Sequence, residues 1–306
     1  MNIKHLQHQE IDKNKWDACI AQSVQKIIYA YSWYLDVVSP NWEALILGDY
    51  EAVFPLCWKK KFGLHYLYQP AFTQQLGIFS KLADNQALNN LFLEAIPLKF
   101  KLIEININTT NQITSPKNFQ EIKNITHHLD LSNPYEAISE KYAENLHRNL
   151  IKAQKSRFEF IKNPNVDDLI ELFRAHKGKE ISTLSNDSYQ KFRSISAICQ
   201  QKEKIKIYAI RLPDEKISAG MCILEDDQHS IFLFSALSEK GKKTGAMPLL
   251  IDTYIKQHAE KGILFDFEGS NDKNIARFYR GFGSKEYVYL HLKKNKLPFY
   301  IRWFKN

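Results

Sequence analysis

The stretch that most constrains the fold lies near the C-terminus, at residues 261–292, and reads KGILFDFEGSNDKNIARFYRGFGSKEYVYLHL. It starts with a short apolar run of β-forming residues, Ile263–Phe267, which one carboxylate, Asp266, interrupts. Such a run predicts a buried strand whose acidic side chain has a special role. The polar segment Glu268–Ser270 then breaks the strand, and Gly269 permits a positive φ or a close approach of another backbone.

A short helix is predicted directly after this strand. Asn271 or Asp272 can cap a helix through Ile275–Tyr279, and the glycines of Gly281–Gly283 stop it. Aromatic residues then alternate along Glu286–Leu292, which predicts a further strand. The order strand, polar turn, amphipathic helix, glycine stop and strand is that of a βαβ-like unit closing a domain.

Two phrases in the sequence resemble signatures of one family. The first is F-D-F-x-G followed by A-R-F-Y-R-G-F-G, in which Phe278, Tyr279, Gly281, Phe282 and Gly283 match the phrase that ends a short helix in GNAT (Gcn5-related N-acetyltransferase) proteins. The second is R-N-L-I-K-A at Arg148–Ala153, which is similar to the R-x-N-I-x-K-A element of FemAB-like enzymes. The chain therefore resembles the FemAB-like, or acetyltransferase-6, branch of the GNAT acyl-CoA N-acyltransferase superfamily.

The order of predicted elements agrees with this resemblance. From Asn133 onward, the pattern predicts a helix, a strand, helices, three antiparallel strands, a long helix, a strand, a short helix and a strand. The N-terminal half shows a similar order, with helices, a three-strand meander, a helix and strands. Doubly wound folds alternate strand and helix throughout. We therefore expect an α+β fold with a mixed sheet and two GNAT-like domains in tandem, at residues 1–132 and 133–306.

Composition and charge leave several partner classes open. The chain has 306 residues, 44% of them hydrophobic and 25% charged, which are values typical of globular proteins. Its formal charge of +8 suits nucleic acid, an anionic membrane surface or a phosphate-rich ligand such as coenzyme A or aminoacyl-tRNA, and it also suits a lysine-rich solvated surface. Nucleic-acid binding is less favoured, because the basic residues are spread out and no stacking motif has basic flanks.

The cysteines and histidines indicate neither a disulfide framework nor a metal site. Four scattered cysteines form no C-x-x-C pair and are typical of a reducing compartment. The doubled His127 and His128 have no carboxylate or third histidine at ligand spacing, so we expect one side chain inward, one outward, and no metal. No signal peptide or membrane span is evident, so a soluble, cytoplasmic protein is expected.

The resemblance implies a binding segment for the pyrophosphate of an acyl donor. In GNAT enzymes this group binds backbone amides at the start of the long helix, in a phrase Q/R-x-x-G-x-G/A. Here a partial match gives the candidate donor-binding residues Lys242, Lys243, Thr244, Gly245 and Ala246. Because the match is partial, the donor can be acetyl-CoA or another acyl-CoA, or an aminoacyl-tRNA.

Acyl transfer to an amine requires a base for the ammonium and a donor for the carbonyl oxygen or the leaving group. The candidate bases are Asp266 and Glu268. Arg280 is a candidate for phosphate binding or carbonyl polarisation, and it shares a helix face with Arg277. The resemblance implies that Tyr279 protonates the leaving thiolate.

The remaining candidate residues are expected to contact substrates. The segment QPAFTQQLGIF at 69–79 has no helix or strand period, and the resemblance implies that it lines the cleft. The candidate substrate-binding residues are Gln69, Phe72, Gln74, Gln75, Arg148, Lys152, Ser270 and Arg277.

Two functions remain open from the sequence. The first is an N-acyltransferase that acts on an amine of a small molecule or a cell-envelope precursor, through a ternary complex and as a monomer or homodimer. No G-x-S-x-G or Cys/His constellation indicates a covalent route. The second is a degenerate tandem GNAT binding protein that has kept the cleft and lost the donor site.

Overall fold

The chain folds into two compact units. The computed structural model describes residues 2–82, 85–114, 116, 118–162, 164–179, 185–269 and 271–297. Residues 1–124 and 288–306 form the first unit, and residues 125–287 form the second. The predicted domains at 1–132 and 133–306 stay a prediction, and nothing in the sequence indicates that the C-terminal end returns to the first unit.

The first part of the chain alternates short helices with strands. In chain order the elements are β1 (Ile3–Leu6), α1 (Lys13–Gln22), α2 (Ser32–Val38), β2 (Glu43–Leu47), β3 (Ala52–Leu56), β4 (Trp58–Lys61), β5 (Leu64–Leu67), β6 (Phe79–Ser80), α3 (Gln86–Glu94), β7 (Phe100–Ile107) and β8 (Gln120–Asp130). Asp12 caps α1 by accepting hydrogen bonds from the amides of Asn14 and Lys15, and Asn85 caps α3 in the same manner.

The second part begins with helices and ends in a strand. Its elements are α4 (Tyr135–Ser139), α5 (Glu144–Lys155), β9 (Glu159–Phe160), α6 (Val166–Ala175), α7 (Asn186–Gln201), β10 (Ile205–Arg211), β11 (Ala219–Glu225), β12 (His229–Leu237), α8 (Glu239–Thr244), α9 (Ala246–His258), β13 (Leu264–Asp266), α10 (Lys273–Arg280) and β14 (Lys285–Asn295). The predicted strand at 263–267, the helix at 275–279 and the strand at 286–292 therefore correspond to β13, α10 and β14.

Two groups of strands form the sheets of the first unit. Strands β1, β2, β3 and β6 pair antiparallel in that order. In the other group, β4 pairs antiparallel with β5, β5 runs parallel to β7, and Leu290–Asn295 of β14 pairs antiparallel with β7. Helix α3 packs on this unit's core through Phe92, whose ring lies edge-on to Phe54.

The sheet of the second unit has the strand order β8-β13-β12-β11-β10-β9. All its neighbouring strands are antiparallel except β12 and β13, which are parallel. One face packs on α9, where Phe232 and Phe265 belong to a buried core cluster with Tyr254. On the other face, Phe234 contacts Phe173 of α6 and Phe192 of α7.

The predicted fold class is confirmed, because both units combine helices with mixed sheets. Each unit contains one crossover in which a helix connects two parallel strands. In the first unit α3 lies between β5 and β7, and in the second α8 and α9 lie between β12 and β13. Among the residues that the structure describes, no helix is long and apolar enough to cross a membrane.

Candidate active site

The parallel strands β12 and β13 separate soon after they begin to pair. Their paired register covers His229–Ile231 opposite Leu264–Asp266, whereas β12 continues to Leu237. Within the described residues, no strand pairs with β12 on that side beyond Ile231. An unpaired strand edge presents N–H and C=O groups that an extended ligand can bind. Ile231 and Asp266 are the last paired residues. We call this place the second fork, because it lies in the second unit.

A β-bulge bends β12 at the second fork. Cys222 of β11 lies opposite Phe234, but the next residue, Ile223, lies opposite Phe232, so Leu233 is an additional residue in β12. A bulge bends the strand and redirects its side chains, and bulges are frequent beside active sites. The bulge therefore adds to the separation of β12 from β13.

Tyr279 of α10 lies at the second fork. Its ring stacks on Phe267 at 4.8 Å between centroids and lies 6.4 Å from the ring of Phe232. These two phenylalanines are the first residues after the last pair on each strand. Helix α10 is held in place by Asp272, which caps it by accepting hydrogen bonds from the amides of Asn274 and Ile275. The structure thus places the predicted leaving-group acid where the strands part.

The phenol of Tyr279 stays protonated around neutral pH. Burial raises its pKa above the usual value for tyrosine, and the nearby carboxylates of Glu268 and Asp266 raise it further. A protonated phenol is able to donate a hydrogen bond or a proton to a leaving sulfur or oxygen atom.

Asp266 is buried, and its carboxylate oxygens are engaged. Its Oδ1 accepts hydrogen bonds from the hydroxyl of Thr126 at 2.6 Å and the amide of Glu268 at 2.8 Å. Its Oδ2 lies 3.3 Å from Nε2 of His128. Burial by itself raises the pKa of Asp266, but the hydrogen bonds from His128, Thr126 and Glu268 outweigh it, so the pKa is below the usual range. Asp266 is therefore ionised and a weak base.

Glu268 has an unusual backbone conformation, with φ at +50°. This left-handed region is sparsely populated by residues other than glycine, and such strain is concentrated at functional sites. The hydrogen bond that the amide of Glu268 donates to Asp266 stabilises the turn. The next residue must be glycine, because a Cβ at Gly269 would lie 1.8 Å from the carbonyl oxygen of Ile125 in β8. The backbone of Glu268 is thus fixed beside the second fork, and its side chain is half-buried.

His127 is a buried residue that the sequence did not single out as catalytic. Its side chain is fully buried, and neither ring nitrogen has a hydrogen-bond partner among the described residues. Its ring lies 5.8 Å from that of Tyr279, and its Nε2 lies 3.6 Å from Oε1 of Glu286. Burial lowers the pKa of His127, and Glu286 only partly opposes this effect, so the imidazole is neutral near pH 7.

The expectation of one inward and one outward histidine was wrong, since His127 and His128 are both buried. Both faces of β8 are covered here, because the ring of Tyr279 lies against His127 and the ring of Tyr287 stacks on His128. No group of three or more histidine, cysteine, aspartate or glutamate side chains within the described part of the chain could hold a metal ion.

The arginines of α10 lie on its exposed surface. Arg280 forms an ion pair with Glu286 through Nη1, so its guanidinium already has a carboxylate partner. Arg277 is exposed as well. Ser270, which the sequence predicts as a substrate contact, lies outside the described residues.

The predicted donor-phosphate segment is helical. Lys242 and Lys243 are exposed in the last turn of α8, and the hydroxyl of Thr244 donates to the carbonyl of Lys240 at 2.7 Å. Ala246 is fully buried at the start of α9. Gly245, with φ at +79°, separates α8 from the start of the long helix α9. The role of this segment in donor binding stays a prediction.

The two basic segments of the second unit meet at this helix break. A Cβ at Gly245 would lie 2.5 Å from the carbonyl oxygen of Asn149 and 3.4 Å from the Cβ of Ala153, both in α5. The structure therefore brings the phrase at 148–153 against the segment at 242–246. Arg148 and Lys152 are exposed on α5, and Arg148 also forms an ion pair with Glu144 at 3.1 Å.

The predicted substrate contacts of the first unit are bonded within that unit. Gln69 donates to the carbonyl of Thr73 at 2.6 Å and accepts from the amide of Asn106 at 2.9 Å. Gln75 is buried, donates to Oε1 of Gln74 and accepts from the amide of Thr109. The carbonyl of Phe72, which has φ at +57°, accepts a hydrogen bond from the phenol of Tyr34. Their role in substrate binding stays a prediction.

Comparison with known proteins identifies the class. Residues 140–279, all in the second unit, match the family model described as acetyltransferase (GNAT) domain. The second unit therefore contains a GNAT domain, and this match agrees with the resemblance of the sequence phrases to the FemAB-like, acetyltransferase-6 branch. A search of curated proteins found no matching sequence.

Solved structures agree with a tandem GNAT fold. FemX is 12% identical, with 95% of this chain and 97% of that chain covered and a TM-score of 0.67. The tandem GNAT protein from the clavulanic acid biosynthesis pathway is 9% identical, with coverages of 97% and 99% and a TM-score of 0.58. L-PGS from Bacillus licheniformis is 13% identical, with coverages of 94% and 93% and a TM-score of 0.55. At these identities the similarity shows the fold, and the predicted tandem GNAT fold is confirmed.

Proposed function

We propose that the protein is an N-acyltransferase that moves an acyl group from a thioester or ester donor to an amine. The comparisons support an acyltransferase in general. The observation that carries the finer proposal is the second fork, where β12 parts from β13 after Ile231 and the Tyr279 phenol and the Glu268 carboxylate lie beside the gap. Reaction occurs within a ternary complex, so both substrates are bound before any bond changes.

Each proposed group has one task in this reaction. Glu268, directly or through one water, takes the proton from the amine, whose nitrogen attacks the acyl carbonyl carbon. The bond from that carbon to the leaving sulfur or oxygen breaks, and Tyr279 gives its phenolic proton to the leaving atom. Asp266 is a positioning residue, because its own oxygens are occupied and one of them fixes the backbone of Glu268.

The proposed donor is acyl-CoA, with aminoacyl-tRNA as the other candidate. Both carry phosphates, and the exposed lysines 242, 243 and 152 lie on helices that meet at Gly245. These side chains, together with the amides at the start of α9, would hold the phosphates. The proposed acceptor is an amine of a small molecule or of a cell-envelope precursor.

A thiol-release assay tests the proposal. The purified protein is mixed with acetyl-CoA and a panel of amines that includes amino sugars and peptides with a free lysine amine. We expect thiol release that depends on one of the amines. Tyr279→Phe keeps the stacking on Phe267 and removes only the phenolic proton, so the rate should fall by about 10²- to 10⁴-fold. Tyr66→Phe, in the first unit, is the matched control and should keep the wild-type rate.

Two outcomes decide between the donors. Turnover with charged tRNA and none with acetyl-CoA would identify an aminoacyl donor. Turnover with acetyl-CoA that Tyr279→Phe leaves intact would show that the second fork is not where the leaving group is protonated.

One observation favours a second candidate, a degenerate GNAT protein that binds without turnover. The segment at 242–246 is helical, the Thr244 hydroxyl is satisfied within α8, and Gly245 packs on α5. This candidate predicts that neither coenzyme A nor acetyl-CoA raises the melting temperature and that neither donor supports turnover with any amine. Turnover with either donor excludes it.

A further inference from the structure

The first unit contains a cavity that plays no part in the proposed reaction. It encloses about 270 Å³ between the C-terminal end of α3, the start of β7 and the end of β14. This volume is near the lower limit for pockets that bind small molecules. Its walls are mostly apolar and include Leu93, Ile96, Pro97, Phe100, Ile103 and Phe119.

The rim of this cavity has an excess of positive charge. Lys294 and Lys296 line it, together with one acidic residue, Glu94. The Nζ of Lys294 lies 4.5 Å from the centre of the Phe119 ring, so the ammonium is positioned over an apolar wall. The amide of Lys296 donates to the carbonyl of Lys101 at 2.7 Å, which fixes the backbone of this segment.

The electrostatics show that an anion is favoured at this rim. Burial lowers the pKa of Lys294 below its usual value, Lys296 lowers it further, and Glu94 opposes the effect only in part. A bound anion would offset the repulsion between the two lysines and raise the pKa of Lys294. The mouth of the cavity also exposes an apolar side chain, since Leu98 lines it and is 74% exposed.

We propose that this cavity binds a small carboxylic acid with an apolar body. The carboxylate lies between Lys294 and Lys296, and the body packs against Leu93, Phe100 and Ile103. Two lysines and one glutamate give the rim a net charge of about +1, which suits a monoanion better than a dianionic phosphate. Every group involved belongs to the first unit, so the inference stands apart from the acyltransferase proposal.

Calorimetric titration of the whole protein with hexanoate tests this site. Hexanoate should bind, whereas hexylamine, which has the same body and the opposite charge, and acetate, which lacks the body, should not bind measurably. Inorganic phosphate should fail to displace hexanoate at equal concentration. Binding of hexylamine as tight as that of hexanoate, or displacement by phosphate, would overturn the proposal.

Two lysines on the same strand provide the variant and its control. Lys294→Met keeps the apolar stem and removes the charge, so the Kd for hexanoate should rise about tenfold. Lys293→Met is the matched control, because Lys293 points to the other side of β14 and pairs with Glu104 at 3.6 Å. An equal Kd in wild type and Lys294→Met, with melting curves showing both folded, would contradict the site.

The pH dependence of binding gives an independent readout. Hexanoate binds the protonated form of Lys294, so its affinity should fall as the pH rises through the lowered pKa of this lysine. Lys294→Met should show a shallower fall over the same range. A hexanoate affinity that does not change up to pH 11 in the wild type would also overturn the proposal.

Discussion

The two units contain the same crossover, and they use its open end differently. In the first unit, the parallel register of β5 and β7 ends at Leu67 opposite Ile103, while β7 continues to Ile107. The segment after β5 then fills the gap: Leu76 forms a parallel bridge with Ile107. We call this place the first fork.

The first fork is closed by hydrogen bonds from its own chain. The amide of Leu76 donates to the carbonyl of Asn106 at 3.1 Å, and the amide of Asn108 donates to the carbonyl of Leu76 at 2.8 Å. The side chain of Asn106 donates to the carbonyl of Gln74 at 2.7 Å. At the second fork, no described segment pairs with β12 beyond Ile231, and Tyr279 and Glu268 lie beside the gap. The comparison supports the proposal that the second unit performs the chemistry, because the corresponding strand edge of the first unit is already paired with Leu76.

Among the variants that compare the two forks, the largest effect is expected from removing the proposed base at the second fork. Glu268→Gln should lower kcat by about 100-fold or more at pH 7, because the amine must then lose its proton to the solvent. The remaining rate should rise about tenfold per pH unit up to the pKa of the amine, and rates measured across pH 6 to 9 show this.

The chain offers a matched control for this variant. Glu260 is also a glutamate of the second unit with positive φ, at +63°, and it is exposed. Glu260→Gln should therefore keep the wild-type rate and pH profile. A Glu268→Gln protein that retains most of the wild-type kcat would remove the chemical difference between the two forks.

The second prediction concerns the closed fork. Asn106→Ala removes the bond to Gln74 and a hydrogen bond of 2.8 Å to the ring of His291. The free energy of unfolding of the first unit should fall by about 2 kcal/mol, measured by urea denaturation, while kcat stays unchanged. Asn145→Ala, an exposed asparagine of α5, is the control and should change stability by less than about 0.5 kcal/mol. A higher KM for the amine in Asn106→Ala would mean that this segment binds substrate after all.

The sequence predicts those parts of the site that local patterns control. The apolar run at Ile263–Phe267 and the cap at Asp272 predict β13 and α10, because strand periodicity and helix capping act over a few residues. Those elements place Asp266, Glu268 and Tyr279, so most of the second fork could be found without a structure.

The parts that the sequence misses depend on pairing between distant segments. Nothing near His127 indicates that β8 will pair with β13 and place this ring beside Tyr279, more than a hundred residues away. Residues 69–79 have no period, so their closure of the first fork through glutamine and asparagine side chains could not be predicted. The sequence did not indicate α8, which contains Gly241 and ends before Gly245, because glycine is unfavourable within a helix.

The third prediction tests whether the lysines at the break between α8 and α9 bind the proposed donor. The double variant Lys242→Met and Lys243→Met should raise KM for acyl-CoA about tenfold at low salt and leave kcat unchanged, because phosphate contacts bind ground and transition states alike. The difference from wild type should shrink at high salt. Lys202→Met with Lys206→Met, two exposed lysines, makes the same change in net charge and should leave KM unaltered. Equal effects of the two pairs would show that only overall charge matters.

The last prediction uses pH, since the two forks are held by different chemistry. The second fork depends on a carboxylate, because Asp266 accepts a hydrogen bond from the amide of Glu268. In the folded protein the pKa of Asp266 lies below the usual value of 3.8. A lowered pKa contributes stability that is complete above about pH 5 and is lost as the pH falls through the unfolded and then the folded value. Hydrogen-exchange protection of the Glu268 amide should therefore decrease below pH 5, while that of Leu76, held by neutral amides, should not. Asp266→Asn should abolish the decrease at Glu268, and a parallel decrease at both amides would show that acid loosens the whole protein and not the second fork alone.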